Sequence, residues 1–233
     1  MEVILPIATV LSTIKSLYMK MYLVFIISIL LALNSCVTIL QSLVTRDNII
    51  TDNRIDGTWL DSDPKNILVQ KLMNSKFKEA LSKPKSSDRG NFTQQDSIFY
   101  SKLYVISYRE NNLDYTWIAG LVKIKEQYYL NLMPEECLNS NREEVHISGE
   151  TTSTIAKLIW KNENTLTLNF LNGNRIKEII LNGKAQIKYE YDPLFGTFVI
   201  TASSWELEQF LEKYGNNETL FKGGNTIILT RKI

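Results

Sequence analysis

Residues able to do chemistry are few in this chain, and their spacing excludes most reactions. Among 233 residues there are two cysteines, Cys36 and Cys137, and a single histidine, His146. One imidazole and two thiols cannot assemble a zinc cluster. A Ser-His-Asp constellation would have to recruit His146, which sits in the loop-like stretch Glu143-Glu144-Val145-His146, and no Gly-x-Ser-x-Gly elbow accompanies it. Neither a P-loop nor a Gly-x-Gly-x-x-Gly run occurs. Glu135-Glu136 and Glu143-Glu144 are adjacent pairs, and neighbours on an extended strand point opposite ways, so neither forms an acid/base dyad. Beside two carboxylates, Cys137 is disfavoured as a thiolate and reads as a buried apolar thiol. The expectation is a protein without enzymatic activity, metal or cofactor.

Cys36 is different because of what precedes it. Lys20 is followed by the apolar run Tyr22–Leu33 and then by Asn34-Ser35-Cys36. A basic start, a short apolar stretch and small or polar residues before a cleavage point make a secretory signal peptide over residues 1–35. Lys15 and Lys20 break the apolar residues between 3 and 33 into pieces shorter than the about 20 residues of a spanning helix. A start at Met19 gives the simpler leader, with residues 1–18 a mis-assigned start.

A cysteine directly after the cut resembles the lipobox of bacterial lipoproteins, and Asn34-Ser35 is similar to the relaxed form found in Bacteroidota. That resemblance implies acylation of Cys36 by fatty chains such as palmitate, and a mature chain tethered to a membrane by lipid. Surface-exported members of that group carry an acidic run after the cysteine; here no acid occurs before Asp47. The departure points to retention on the periplasmic face of the cell envelope. Residues 36–52 then form the lipidated tether, in which Val37, Ile39, Leu40, Leu43 and Val44 are expected to pack against the body. Without the lipid, a Cys36–Cys137 disulfide would be the alternative.

Composition narrows the partners. Hydrophobic residues at 44% and charged residues at 22% describe a globular chain with a real core. A net charge of +1 supplies no basic field for nucleic acid. No polybasic cluster is present either, so membrane attachment falls to the lipid.

Period-two alternation dominates from residue 53 to the end. In Thr165–Leu171, Leu166, Leu168 and Phe170 alternate with Thr165, Thr167 and Asn169; Gln127–Met133 and Ala185–Tyr191 behave alike. Further strands are predicted over Ile55–Leu60, Asn66–Leu72, Ile98–Arg109, Leu113–Ile124, Ile155–Lys161, Gly196–Thr201 and Thr226–Lys232. Glu110-Asn111-Asn112 and Lys161–Asn164 read as hairpin turns with asparagine at positive φ. Helices are the minority. Ser203–Tyr214 starts on a Ser203/Glu206 capping box and ends at Gly215 as a left-handed stop, with Leu207, Phe210, Leu211 and Tyr214 on one face. Asn174–Leu181 and Ser75–Leu81 are shorter helices, and Lys83–Gln95 is a loop. The fold class is mainly β with a few helices (α+β), an antiparallel barrel or half-barrel with a helix before the last strand.

Gly57-Thr58-Trp59 near the start of this domain and Leu229-Thr230-Arg231-Lys232 near its end resemble the lipocalin-like (calycin) pattern. The resemblance implies an indole at the closed end of a barrel with an arginine of the last strand over it, so Gly57, Trp59 and Arg231 form a barrel-closing set. A strand count above eight and a helix over Asn174–Leu181 depart from a regular eight-stranded barrel. Tyr104, Tyr108, Tyr115 and Trp117 concentrate on two neighbouring strands. They are candidates either for lining an apolar cavity or for docking a protein partner of unknown identity. The expectation is a membrane-anchored envelope lipoprotein that binds an apolar or amphiphilic small molecule, a lipid-like ligand; the alternative is an assembly factor docking through the aromatic surface.

Overall fold

Side-chain alternation closes eight strands into an antiparallel barrel. The computed structural model describes residues 38–61, 66–74, 94–110, 113–134 and 152–232. Cys36, Cys137, His146, the leader, the helix expected over Ser75–Leu81 and most of the loop expected over Lys83–Gln95 lie outside the described residues. The barrel strands are β3 (Gly57–Leu60), β4 (Asn66–Lys71), β5 (Tyr104–Glu110), β6 (Leu113–Ile124), β7 (Gln127–Pro134), β8 (Thr154–Asn162), β9 (Thr165–Phe170) and β12 (Thr226–Arg231). They follow one another around the wall as β3-β4-β5-β6-β7-β8-β9-β12, and β12 returns to β3.

The length of β6 makes closure possible. Its first half, Leu113–Ala119, pairs with β5, and its second half, Trp117–Ile124, pairs with β7. A strand of this length bridges the two parts of the wall as strand tilt requires. The seam between β12 and β3 is short, with Thr230 opposite Leu60 and Arg231 opposite Trp59.

Among the described residues four strands stand outside the barrel, which accounts for the count above eight. β2 (Ile49–Ile50) adds to β6 at Leu121 and Val122. β1 (Thr38–Ile39), β10 (Tyr189–Asp192) and β11 (Thr197–Ile200) form a separate three-stranded sheet in the order β1-β11-β10. The helices are α1 (Gln94–Lys102), α2 (Gly173–Leu181) and α3 (Ser204–Tyr214). Because β9 and β12 pair directly, α2, the small sheet and α3 form an excursion between them that leaves the barrel intact.

That excursion covers one wall. Ile118, Val122, Tyr129, Met133 and Ile155 face outward from β6, β7 and β8, yet are buried with Ile176 and Ile180 of α2, Leu207, Phe210 and Leu211 of α3, and Ile39 and Ile200 of the small sheet. Leu43 and Val44 join the same layer. The inner faces form a second core of Trp59, Val69, Tyr104, Leu121, Leu130, Leu158, Leu166, Leu168 and Leu229. Apolar residues on both faces are why β6 shows little alternation.

Several local expectations change. Ile98–Lys102 is helical, not strand: α1 packs Tyr100 into the outer core, and the chain turns into β5 only after buried Leu103. An aromatic run satisfies a strand pattern and a short packed helix equally. Within Ala185–Tyr191, only Tyr189 onward is strand. The capping box on α3 forms, with Ser203 and Glu206 bonded reciprocally. Gly215 at its end has a φ of −64°, not a left-handed value. A Cβ there would come within 2.0 Å of the Tyr129 hydroxyl, so glycine serves close approach. At the β8–β9 turn, Asn162 accepts a hydrogen bond from the Asn164 amide (2.9 Å), and neither asparagine takes a positive φ.

Candidate functional site

The two ends of the barrel differ in chemistry. At one end, where β3 begins and β12 finishes, the segment Asp52–Asp56 crosses the opening. Trp59 is fully buried and its indole N–H donates to the Ile55 carbonyl at 2.8 Å. The Arg231 guanidinium lies 4.5 Å from the Trp59 ring centre. Its Nη1 donates to the Asp56 carbonyl at 2.8 Å and its Nη2 to the Arg54 carbonyl. Trp160 packs against Trp59 with ring centres 6.1 Å apart, and the Arg54 guanidinium lies 4.6 Å over Trp160. Two adjacent indoles are thus flanked by a cation on each side, Arg231 on Trp59 and Arg54 on Trp160, an arrangement that gains from the ring quadrupoles.

Gly57 makes room for this stack. Its φ is +137°, and a Cβ on it would lie 2.6 Å from Arg231 Nη1. The neighbour that approaches is a side chain, the guanidinium itself.

Tyr104 belongs to the same end. Its hydroxyl accepts from the Asp52 amide (2.8 Å) and from Lys71 Nζ (3.1 Å), and donates to the Asp52 carbonyl (3.1 Å). Burial pushes the Tyr104 phenol up to about 12 and the Lys71 ammonium down from its ordinary value. The Arg54 guanidinium, hydrogen-bonded to Asp52, holds that carboxyl below the usual carboxylate range. This end is a polar and aromatic plug, in which Asp56 Oδ1 and Trp160 Nε1 are buried without a hydrogen-bond partner.

The opposite end is apolar. Strand register puts Tyr108 opposite Tyr115 and Ile106 opposite Trp117, on the same inward face as Tyr104 and Ala119. The Tyr108 and Tyr115 rings stack with centres 5.0 Å apart and planes 12° from parallel. Ile67, Ile106, Trp117, Leu132, Phe170 and Ile227 are inward-facing and only half buried there. Ala119 and Ala156, both fully buried, are the smallest side chains of the inner wall below this rim. Three of the connections at this end, residues 62–65, 111–112 and 135–151, lie outside the described residues.

The four aromatic candidates therefore separate. Tyr108, Tyr115 and Trp117 stand at the apolar rim, whereas Tyr104 is part of the plug. Ile67, Leu132, Phe170 and Ile227 were not singled out from the sequence. Each is the inward member at a strand end, so alternation followed to that end is the signal that could have found it. A separate surface pocket of about 220 Å³ lies beside α1, lined by Arg46, Asp47, Gln95, Ile98, Phe99 and Lys102. Among the described residues no group of three His, Cys, Asp or Glu side chains could hold a metal ion, and no helix is long and apolar enough to cross a membrane.

The architecture defines the class: a lipocalin-like, closed, eight-stranded antiparallel barrel with a helix before its last strand. Comparison with protein-family models, curated proteins and solved structures finds no match in any of the three.

Proposed function

We propose that this protein is an envelope lipoprotein, anchored through Cys36 on the periplasmic face of a membrane, whose barrel binds one apolar or amphiphilic small molecule at its apolar end. The observation that carries the reading is the rim of half-buried, inward-facing Ile67, Ile106, Trp117, Leu132, Phe170 and Ile227. Apolar side chains exposed inside a concave wall are stabilised when a ligand removes their surface from water, at about 25 cal/mol per Å². The other end is filled by Trp59 and crossed by Asp52–Asp56, so a ligand would approach from the rim. The proposal is of binding without chemistry.

Titration of the purified mature protein with a fluorescent fatty acid tests it, together with lipid extraction and mass spectrometry of the native protein. The expected result is saturable binding, a co-purifying lipid-like molecule, and binding weakened by Trp117→Ala or Phe170→Ala. No binding, and no extracted ligand, would overturn it.

One observation favours the second reading, a docking surface for a protein. Leu113 is 60% exposed and Tyr115 37% exposed beside the stacked Tyr108 ring. Replacement of Leu113 and Tyr115 by Ser would then abolish partner capture while fatty-acid binding is absent in both forms.

A further inference from the structure

The most exposed apolar side chains among the described residues lie far from the barrel rim in sequence, in the turn between β10 and β11. Leu194 is 83% exposed and Phe195 78% exposed. Two large apolar residues in water at a hairpin tip are a cost that a folded domain has no internal reason to bear. The tip is nevertheless ordered by its own hydrogen bonds. Asp192 Oδ1 accepts from the Leu194 amide (2.8 Å) and the Phe195 amide (3.3 Å), and Lys177 Nζ donates to the Gly196 carbonyl (3.1 Å). The turn is held in a shape that presents both side chains outward.

Behind the tip the residues become amphipathic. Tyr189 and Tyr191 are 39% and 38% exposed and pack on buried Phe198, with ring centres 5.2 and 6.5 Å away. Lys177 Nζ lies 4.5 Å over the Tyr191 ring. An apolar tip backed by tyrosines and a lysine matches the depth profile of a bilayer interface, where phenols and ammonium groups sit at headgroup level.

The topology supplies the second argument. β1 pairs in parallel with β11, Thr38 opposite Val199 and Ile39 opposite Ile200. Parallel pairing means that β1 begins towards the end of β11 at which the Leu194–Phe195 turn stands. Residue 36 is two positions before Thr38, so chain geometry allows at most about 7 Å between their Cα atoms. A lipid anchor attached shortly before Thr38 would hold this edge of the small sheet, and the tip with it, near the bilayer.

We infer that the β10–β11 hairpin is a membrane-docking wedge that places Leu194 and Phe195 in the bilayer interface and so orients the barrel. The inference rests on the Cys36 anchor proposed above. Its occupant is a lipid surface. A second copy of the chain is the competing occupant.

The test uses the lipidated mature chain carrying Cys137→Ser, with an environment-sensitive fluorophore attached at Phe195→Cys or, as control, at Glu163→Cys in the exposed β8–β9 turn. Each protein is reconstituted with vesicles of phosphatidylethanolamine and phosphatidylglycerol. The expected result is a blue shift and quenching by spin-labelled lipid at position 195, with neither at position 163. Flotation with the vesicles while the label at 195 reports water would overturn the wedge and leave the anchor standing. A label at 195 already shielded without vesicles would assign the tip to a second copy and overturn the lipid assignment. Failure to float at all would overturn both readings. Flotation of a Cys36→Ser form with the label at 195 still shifted would uphold the wedge and show that it holds the surface without the anchor.

Discussion

Arg231 lies across the face of Trp59, its guanidinium 4.5 Å from the indole centre, and the two residues are also direct cross-strand neighbours at the β12–β3 seam. One contact therefore does two things. It covers the buried indole at the plugged end, and it fastens the last strand to the first at a short seam of two paired positions and one further bond, from the Lys232 amide to the Thr58 carbonyl (2.8 Å). The Asp56 and Arg54 carbonyls accept from the same guanidinium, so the chain segment across the opening is fixed by the residue that closes the wall.

Gly57→Ala should destabilise the domain by about 2–3 kcal/mol, because the new Cβ meets Arg231 Nη1 and the backbone keeps a φ that alanine rarely adopts. Urea unfolding monitored by fluorescence measures it. A change below about 0.5 kcal/mol would show that the guanidinium moves aside freely.

Trp59→Ala should cost about 3–5 kcal/mol, since the indole is fully buried and its removal also strands Arg231 and the Ile55 carbonyl. Arg231→Lys should cost about 1–2 kcal/mol, because an ammonium keeps the charge but cannot both cover the ring and reach two carbonyls. Thermal denaturation of both variants against the parent ranks them.

Gly215→Ala separates two physical effects of opposite sign. Helix propensity alone favours alanine at φ −64° by about 1 kcal/mol, whereas crowding against the Tyr129 hydroxyl and the Leu211 carbonyl opposes it. Crowding should win, with a net loss of about 1–3 kcal/mol. Tyr129→Phe in the same chain should recover part of it. A stabilised Gly215→Ala protein would refute the close contact.

Glu206 carries the clearest pH dependence. Hydrogen bonding to Lys188, and then to the Ser203 amide and hydroxyl, lowers its carboxyl to about 2. A depressed folded-state pKa contributes stability that is present above the unfolded value near 4.5 and is lost as pH falls towards 2. The melting temperature of the parent should therefore exceed that of Glu206→Gln at pH 7, and the gap should close between pH 4.5 and about 2. A gap that persists at pH 2 would assign the effect to shape instead of charge.

Cys36→Ser should release the protein from membranes into the soluble fraction, read by fractionation and by loss of metabolic labelling with a fatty-acid analogue. Undiminished membrane retention with no acyl label on the parent would count against the anchor.

What can be read from the chain and what cannot divide along a physical line. The strands β7, β9 and β12 were legible because each has one face in the barrel core and the pattern of one face repeats every second residue. α3 was legible because Ser203 and Glu206 satisfy orphan amides within four residues of each other. The start of β5 was not, since Ile98-Phe99-Tyr100 meets either a strand's or a helix's demand for burial, and the outer core to which Tyr100 belongs decides between them. Nor was the role of Gly215, whose reason is a tyrosine 86 positions earlier in the chain.

Local periodicity and capping thus determined that the chain is mainly β, which residues face inward, and where the last helix starts. Tertiary structure alone decided that eight strands close and four do not, that Arg231 reaches Trp59, that Tyr104 joins the plug while Tyr108 and Trp117 stand at the rim, and that Leu194 and Phe195 are left in solvent. Those outcomes depend on contacts between residues distant in sequence. Their free energy exists only once the chain has closed on itself, so no short window of residues contains it.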